Sequence, residues 1–197
     1  TGQYHAHRTI AVAGGSVGNP RYITAKIGAE INSLTKHFDI DDSIQNRFIN
    51  GNVLSGATVA SNGYLNFYNN LLTVIPEGND YRLFGWLPFV DNKIPSLSKT
   101  SFSWLFKNKG YEVNTNLNGE ERALVVTGEM EKVFPMDIYP MQLLKACMAG
   151  DIEKMEALGI YEVVPEDFGL IDYASTSKIE AQEIIREGIE LMIKEVG

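Results

Sequence analysis

The 197-residue chain is poor in the residues on which several protein classes depend, beginning with cysteine. It has one cysteine, Cys147, which excludes an intrachain disulfide and therefore a disulfide-stapled secreted scaffold. An iron–sulfur cluster held by cysteine normally needs four thiolates, so this chain cannot supply a full ligand set by itself. Cys147 lies on the apolar face of a predicted helix with no histidine near it in sequence, which favours a buried structural thiol over a nucleophile.

Long hydrophobic runs and basic charge are also scarce. The longest apolar candidates, such as Leu71–Ile75, fall far short of the ~20 residues that span a bilayer, so no membrane span is expected. The net charge is −8, from 25 Asp and Glu against 17 Lys and Arg, which disfavours binding to nucleic acid and to anionic lipid. The N-terminal segment lacks a basic stretch followed by an apolar one, so a secretory signal is not expected.

Candidate metal ligands and catalytic groups are few. His5 and His7 lack further ligands at a zinc-like spacing, and His37 is interpreted as an exposed residue at a helix end. The acidic turn at residues 39–42 lacks the glycine and the later glutamate of a calcium loop. The shortage of histidine beside a lone helical cysteine argues against an independent hydrolase or transferase. Neither a metal site nor a catalytic residue is therefore predicted in this chain.

The first part of the chain has the pattern of a compact α+β domain. Glu30–Phe38 carries apolar residues at helical spacing, whereas short β-branched and aromatic runs predict strands. The glycine-rich segment at residues 14–18 does not fit a phosphate-binding motif, and a tight turn is favoured there. One helix among several short strands indicates a helix packed on a small sheet. The predicted strands are Thr9–Ala13, Arg21–Lys26, Asn46–Ile49, Val53–Leu54, Thr58–Ala60, Tyr64–Tyr68 and Leu71–Ile75.

The last part of the chain predicts a helical module that follows one strand, Arg122–Thr127. Tyr139–Met148 and Ile152–Leu158 are predicted helices, separated by Gly150 as a stop and Asp151 as a cap. Ser177–Glu180 fits a capping box, and it would open a final helix. The apolar stripe expected along that helix comprises Ile184, Ile185, Ile189, Met192, Ile193 and Val196.

Four short blocks identify a family, because unrelated motifs keep their order and spacing. They are NPR (Asn19–Arg21), VLSG (Val53–Gly56), LFGW (Leu83–Trp86) and NGEERALVVTGEMEKVFPMDIY (Asn118–Tyr139). With them, the chain resembles the C-terminal region of NqrA, a component of the bacterial sodium-translocating NADH:quinone oxidoreductase. The resemblance implies an α+β fold: a small β-grasp-like (SLBB) sheet domain at residues 8–106, followed at residues 107–197 by a strand plus a C-terminal helical module.

The resemblance also implies a role in a membrane redox complex. The expected protein is a peripheral subunit on the cytoplasmic face of the bacterial inner membrane, and the whole complex transfers electrons from NADH to ubiquinone and couples this to sodium export. Its expected partners are the other subunits, with ubiquinone as a candidate ligand. NADH, flavins and iron–sulfur centres belong to the wider complex, and no cofactor is expected in this chain, which is not expected to be catalytic alone. The alternative is a stand-alone soluble-ligand-binding β-grasp module without a redox role.

A quinone site needs an apolar slot with one or two polar anchors. The candidate residues for contact with quinone or a partner are Phe84, Trp86, Phe102, Trp104 and Arg122. Aromatic residues belong to the core more often than not, so core packing is the alternative for Phe84 and Trp86. For Arg122 the alternative is a solvated turn, because charge runs usually solvate a face.

Some relatives in this family carry a cysteine pair ahead of the last helix. Here the corresponding positions are Asp172 and Ser175. This departure argues against a metal or disulfide role for that segment of the chain.

Overall fold

The computed structural model describes residues 2–79, 105, 110–111 and 113–196. It divides into two compact units, Thr1–Asn118 and Gly119–Gly197, called here the sheet unit and the helical unit. The domain boundary predicted at residues 106–107 falls outside the described residues and stays a prediction. In the part of the chain that the structure describes, no helix combines the length and the apolar character that crossing a membrane requires.

The sheet unit contains a mixed, five-stranded sheet within its described residues. Its strands are β1 (His7–Ala13), β2 (Arg21–Lys26), β3 (Asn46–Asn50), β4 (Ala57–Val59) and β5 (Leu71–Pro76). The order across the sheet is β2-β1-β5-β3-β4. The central pair, β1 and β5, is parallel, whereas every other neighbouring pair is antiparallel. With one helix packed on the sheet, this is the β-grasp-like α+β arrangement that the resemblance implies.

The core of the sheet unit lies between the sheet and a short helix, α1 (Ile31–Thr35). Ile10 and Val12 point to the same face of β1 because side chains alternate along a strand, and both are buried. Ile31 and Leu34, three residues apart on one side of α1, are buried in the same cluster. The helix is shorter than the predicted Glu30–Phe38, although Phe38 still packs against this core.

A glycine permits the chain to leave β1 beside the backbone of β5. Gly14 has a φ of 131°, and a Cβ atom on it would lie 1.9 Å from the carbonyl oxygen of Val74. Real Cβ atoms do not approach an oxygen so closely, so every other side chain would push the two central strands apart. The carbonyl of Gly14 accepts a hydrogen bond from the N–H of Val17 at 3.1 Å, which closes the predicted tight turn.

Two predicted strands of the sheet unit are wrong. Val53–Leu54 forms a turn, because the side-chain oxygen of Asn52 accepts hydrogen bonds from the N–H groups of Leu54 and Ser55 at 2.7 and 2.9 Å. Tyr64–Tyr68 makes a single bridge, between Tyr64 and Glu30, and then turns. In both segments local side-chain or turn hydrogen bonds replace a strand ladder, as is common for asparagine-rich sequence.

The helical unit contains α2 (Pro140–Ala149), α3 (Ile152–Ala157), α4 (Gly169–Ala174) and α5 (Ala181–Val196). Short 3₁₀ turns lie at Met130–Lys132, Ile160–Glu162 and Pro165–Phe168. The predicted stop and cap between α2 and α3 are confirmed. The backbone of Gly150 has the left-handed conformation typical of a helix end, and the Asp151 carboxylate accepts a hydrogen bond from the N–H of Lys154 at 3.1 Å. Fully buried side chains form the core of this unit, including Met141, Leu143, Leu144, Met155, Phe168, Ile171 and Ile185.

Helices α2 and α5 approach each other closely at a glycine. A Cβ atom on Gly188 of α5 would lie 2.7 Å from Sγ and 3.1 Å from Cβ of Cys147 on α2. Cys147 is half-buried there, and burial raises the pKa of its thiol to about 11. A thiol with a raised pKa is a poor nucleophile, so the structure supports the predicted packing role for this residue.

The strand predicted at Arg122–Thr127 is wrong, because these residues form no regular secondary structure. The N–H of Arg122 donates to the carbonyl of Ser177 at 2.8 Å, and the Ser177 hydroxyl donates to the carbonyl of Ala123 at 3.1 Å. Val125 and Val126 are exposed. The segment is therefore held by a loop instead of a partner strand, and β-branched residues alone do not make a strand without such a partner.

The capping box predicted at Ser177–Glu180 does not open α5, which begins later, at Ala181. A carboxylate from α4 caps this helix instead: Asp172 accepts hydrogen bonds from the N–H of Ala181 at 2.5 Å and from the side-chain amide of Gln182 at 2.7 Å. Burial raises the pKa of Asp172, although its hydrogen bonds act in the opposite direction. The end of α4 and the start of α5 are therefore fixed to each other by one side chain.

Candidate functional site

Four of the five residues predicted to contact quinone or a partner lie outside the described residues. They are Phe84, Trp86, Phe102 and Trp104. Arg122 is described, and it is exposed in the loop held by Ser177. The assignment of all five residues to a contact site stays a prediction.

An open apolar groove lies on the helical unit, at the C-terminal part of α5. Its volume is about 330 Å³. The residues that line this C-terminal groove are Ile160, Tyr161, Val163, Ile189, Met192, Ile193 and Val196. Ile160 and Met192 form its buried floor. Its walls are open to water, because Tyr161, Ile193 and Val196 are 65%, 66% and 55% exposed.

The groove exists because α5 has more apolar surface than the helical unit covers. Gly188 and Ile185 pack into the core, whereas Ile193 and Val196 continue the predicted apolar stripe without being buried. The sequence pattern predicted this side of the groove. The sequence pattern did not predict the other side of the groove, which comes from the 3₁₀ turn Ile160–Glu162 and Val163. A single turn is too short to show a repeating pattern of apolar residues.

Charges around the groove are mainly negative. Glu162, Glu190 and Glu195 are exposed, and each is adjacent in sequence to a lining residue. Lys194 is the basic residue within the last turns of α5, and its ammonium group lies 4.0 Å from the Glu195 carboxylate. The hydroxyl of Tyr161 donates to Glu156 at 2.6 Å, and this hydrogen bond raises the pKa of the phenol. The groove therefore combines an apolar floor with an acidic rim.

Charge is divided unevenly between the two units. Residues 119–197 carry 17 Asp and Glu against seven Lys and Arg, a formal net charge of −10. Residues 1–118 carry eight against ten, a formal net charge of +2. The negative net charge of the whole chain therefore comes from the helical unit, which also has the groove.

The described part of the sheet unit presents an aromatic surface at Phe67 and Tyr68. The guanidinium of Arg8 lies 4.6 Å from the centre of the Phe67 ring, and its N–H donates to the Phe67 carbonyl. Phe67 and the highly exposed Tyr68 meet edge to face, with ring centres 5.0 Å apart. Among the described residues, no group of three or more His, Cys, Asp or Glu side chains could hold a metal ion.

Comparisons with known proteins find similarity to NqrA proteins. The family model for the NQRA C-terminal domain matches residues 9–61. Over 99% of its length the chain is 36% identical to NqrA of the Na(+)-translocating NADH-quinone reductase from Neisseria meningitidis serogroup B and 36% identical to that from Psychromonas ingrahamii. Over 95% of its length it is 37% identical to the corresponding protein from Serratia proteamaculans. The chain spans 43%, 43% and 41% of the length of these relatives.

Proposed function

We propose that this chain, which resembles the C-terminal region of NqrA along almost its entire length, is the docking part of the peripheral subunit of a sodium-translocating NADH:quinone reductase. The whole complex would transfer electrons from NADH to ubiquinone and export sodium. NADH, flavins and iron–sulfur centres would be bound by other parts of the complex. The chain would lie on the cytoplasmic face of the bacterial inner membrane and would hold no cofactor itself.

The observation that carries this proposal is the similarity over 99% of the chain to proteins named as the NqrA component of that reductase. The C-terminal groove supports a docking role, since its exposed walls leave apolar surface in water that a partner would cover. Burial raises the pKa of Cys147, so its thiol is a poor nucleophile.

The finer part of the proposal concerns contact residues. We propose that Phe84, Trp86, Phe102 and Trp104 line a contact with ubiquinone or a neighbouring subunit, and that the exposed Arg122 contacts a neighbouring subunit. Aromatic rings and arginine are the side chains most enriched in the energetically important parts of interfaces. The alternative, a stand-alone ligand-binding sheet domain, would need none of these contacts for assembly.

Co-purification tests the proposal. The affinity-tagged chain is co-expressed with the membrane and flavin subunits of the reductase, and subunits retained on the resin are quantified. We expect the wild-type chain to retain them, and Trp86→Ala and Arg122→Ala each to reduce retention at least about fivefold if the contacts behave as interface anchors. The chain purified alone is expected to show no NADH oxidation.

Glu153→Lys is a suitable control, because Glu153 is an exposed residue of α3 that does not line the groove. Loss of retention in this control would mean that any charge change disturbs assembly. Failure of the wild-type chain to retain any subunit would contradict the docking role. Unchanged retention in both Trp86→Ala and Arg122→Ala would remove those two contacts while leaving the docking role in place.

A further inference from the structure

We infer that the C-terminal groove takes a basic amphipathic helix of a partner protein, an inference that rests on the proposed docking function. Along α5 the lining residues Ile189, Met192, Ile193 and Val196 follow the spacing i, i+3, i+4 and i+7. This spacing places them in one row over two helical turns, about 10 Å of axis. A row of this kind is the surface onto which a second helix packs.

The shape of the groove favours a helix over a small molecule. Its floor is closed by Ile160 and Met192, but Tyr161, Ile193 and Val196 on its sides stay more than half exposed. Small-molecule sites enclose most of the ligand, ~70–90% of its surface, which walls as open as these do not provide. A helix needs only one covered face, so it can lie along the row and bury Ile193 and Val196 without being enclosed.

The charges around the groove specify a basic partner. The exposed residues Glu162, Glu190 and Glu195 are each next in sequence to a lining residue. The two basic residues of α5 are already paired, Lys194 with Glu195 and Arg186 with Glu183. The whole helical unit carries a formal net charge of −10. Lysine and arginine on the flanks of a docked helix would meet complementary potential, which speeds encounter and selects the partner. A second copy of this chain or an anionic membrane surface would instead be repelled.

Tyr161 is positioned to serve as an anchor in such a contact. Its ring forms one wall of the groove, while its hydroxyl is held by Glu156 at 2.6 Å. The hydrogen bond restricts the ring before a partner arrives, so less conformational entropy is lost on binding. Tyrosines of this kind are frequent among the residues that dominate interface energetics.

The test uses the full 197-residue chain and two synthetic helical peptides of about 18 residues, or five turns. Both peptides have leucine in one helical row. One carries lysine at every charged position, and its matched counterpart carries glutamate at the same positions. Fluorescence anisotropy measures their binding at low and high salt. We expect the lysine peptide to bind at least about tenfold more tightly, with the difference shrinking as salt screens the charges.

Variants of the chain locate the binding site. Ile193→Ser removes one apolar wall, and the double change Glu190→Lys with Glu195→Lys reverses the rim charge. Each is expected to weaken binding of the lysine peptide by about fivefold or more. Glu187→Lys is the matched control, because Glu187 is an exposed residue of the same helix turned away from the groove, and it should change affinity less than about twofold. All these positions are exposed, so circular dichroism should show an unchanged fold.

Several results would overturn the inference. Equal affinity for the two peptides would exclude charge selection, and unchanged affinity in Ile193→Ser would exclude the groove. A concentration-dependent dimer in sedimentation experiments that Ile193→Ser abolishes would assign the groove to a second copy. The proposed function is judged separately. If both groove variants still co-purify with the reductase subunits, the inference is wrong and the proposed function stands. If the chain binds the peptide but retains no subunits, the proposed function is wrong and the peptide result stands.

Discussion

At the scale of single residues, two carboxylates illustrate how burial and hydrogen bonds together set the direction of a pKa shift. Burial raises the pKa of Glu77, yet hydrogen bonds from Arg47 and Thr115 outweigh burial, so its pKa is lowered overall. Asp172 shows the opposite balance. Burial outweighs the hydrogen bonds that it accepts from Ala181 and Gln182 at the start of α5, so its pKa is raised. The ionised form is therefore stabilised by folding at Glu77 and disfavoured by folding at Asp172.

The balance at Asp172 predicts a pH effect on the helical unit. Because the folded pKa lies above the ordinary value of 3.8, the stability contributed by this group is complete below pH 3.8 and falls as pH rises through the raised folded pKa. Asp172→Asn cannot ionise and keeps an oxygen to accept from Ala181. Its urea midpoint should therefore improve relative to wild type as the pH is raised from about 3.5 to 7.

Asp172→Ala is the comparison that separates charge from capping. It removes the acceptor altogether and should lower the free energy of unfolding by about 1–2 kcal/mol at about pH 3.5. Because neither variant can ionise at this position, both should gain stability relative to wild type as the pH rises, with Asp172→Ala remaining the less stable of the two. Equal stability of the two variants would show that the cap needs the negative charge itself, and the absence of any gain with pH would contradict the role assigned to burial.

At the scale of elements, the contact between α2 and α5 depends on the missing side chain of Gly188. Gly188→Ala improves intrinsic helix propensity by ~1 kcal/mol but places a methyl group 2.7 Å from Sγ of Cys147. Overpacking of this kind typically costs about 1–3 kcal/mol, so we expect net destabilisation in chemical unfolding.

Removal of the sulfur supplies the control. Cys147→Ala leaves the Cβ atom, which the new methyl would meet at 3.1 Å, and deletes the closer atom. The double variant Gly188→Ala with Cys147→Ala should therefore be more stable than the sum of the two single changes. Additive effects would contradict the contact described for these helices.

The elements predicted correctly from sequence are those with local signals. Pro140, Gly150 and Asp151 mark the ends of α2 and α3 within one or two residues, and β-branched runs mark β1, β2 and β5. The failures depend on distant partners. Arg122–Thr127 has strand-forming residues but no strand beside it, and the cap of α5 comes from Asp172, nine residues earlier in the chain than Ala181.

The candidate site shows the same division. The apolar row of α5 was predictable because it repeats with the helical period. The opposite wall, Tyr161 and Val163, was not, since it comes from a 3₁₀ turn whose position against α5 is set by tertiary packing. The predicted contact residues Phe84, Trp86, Phe102 and Trp104 lie outside the described residues, and their role remains part of the proposed function.

At the scale of the whole molecule, each unit has its own core and its own charge. The helical unit, with a net charge of −10, should fold alone as residues 119–197 and show a cooperative thermal transition by circular dichroism. Raising NaCl from about 0.05 to 0.5 M should raise its Tm, because salt screens repulsion among its carboxylates. A fragment of residues 1–118, with a net charge of +2, should respond less.

The absence of a cooperative transition in the 119–197 fragment would show that the helical unit depends on the rest of the chain. An equal salt response in the two fragments would show that ions act through general effects on apolar surface instead of through charge.

The position of β5 has a consequence for the order of folding. Each outer hairpin of the sheet, β1 with β2 and β3 with β4, joins neighbours along the chain, but β5 enters last in sequence and fills the centre between β1 and β3. Closure of a long loop must precede that parallel contact, which slows its formation. During synthesis on a ribosome, the two hairpins would therefore remain separate and partly exposed until residue 76 had emerged and β5 could pair with both.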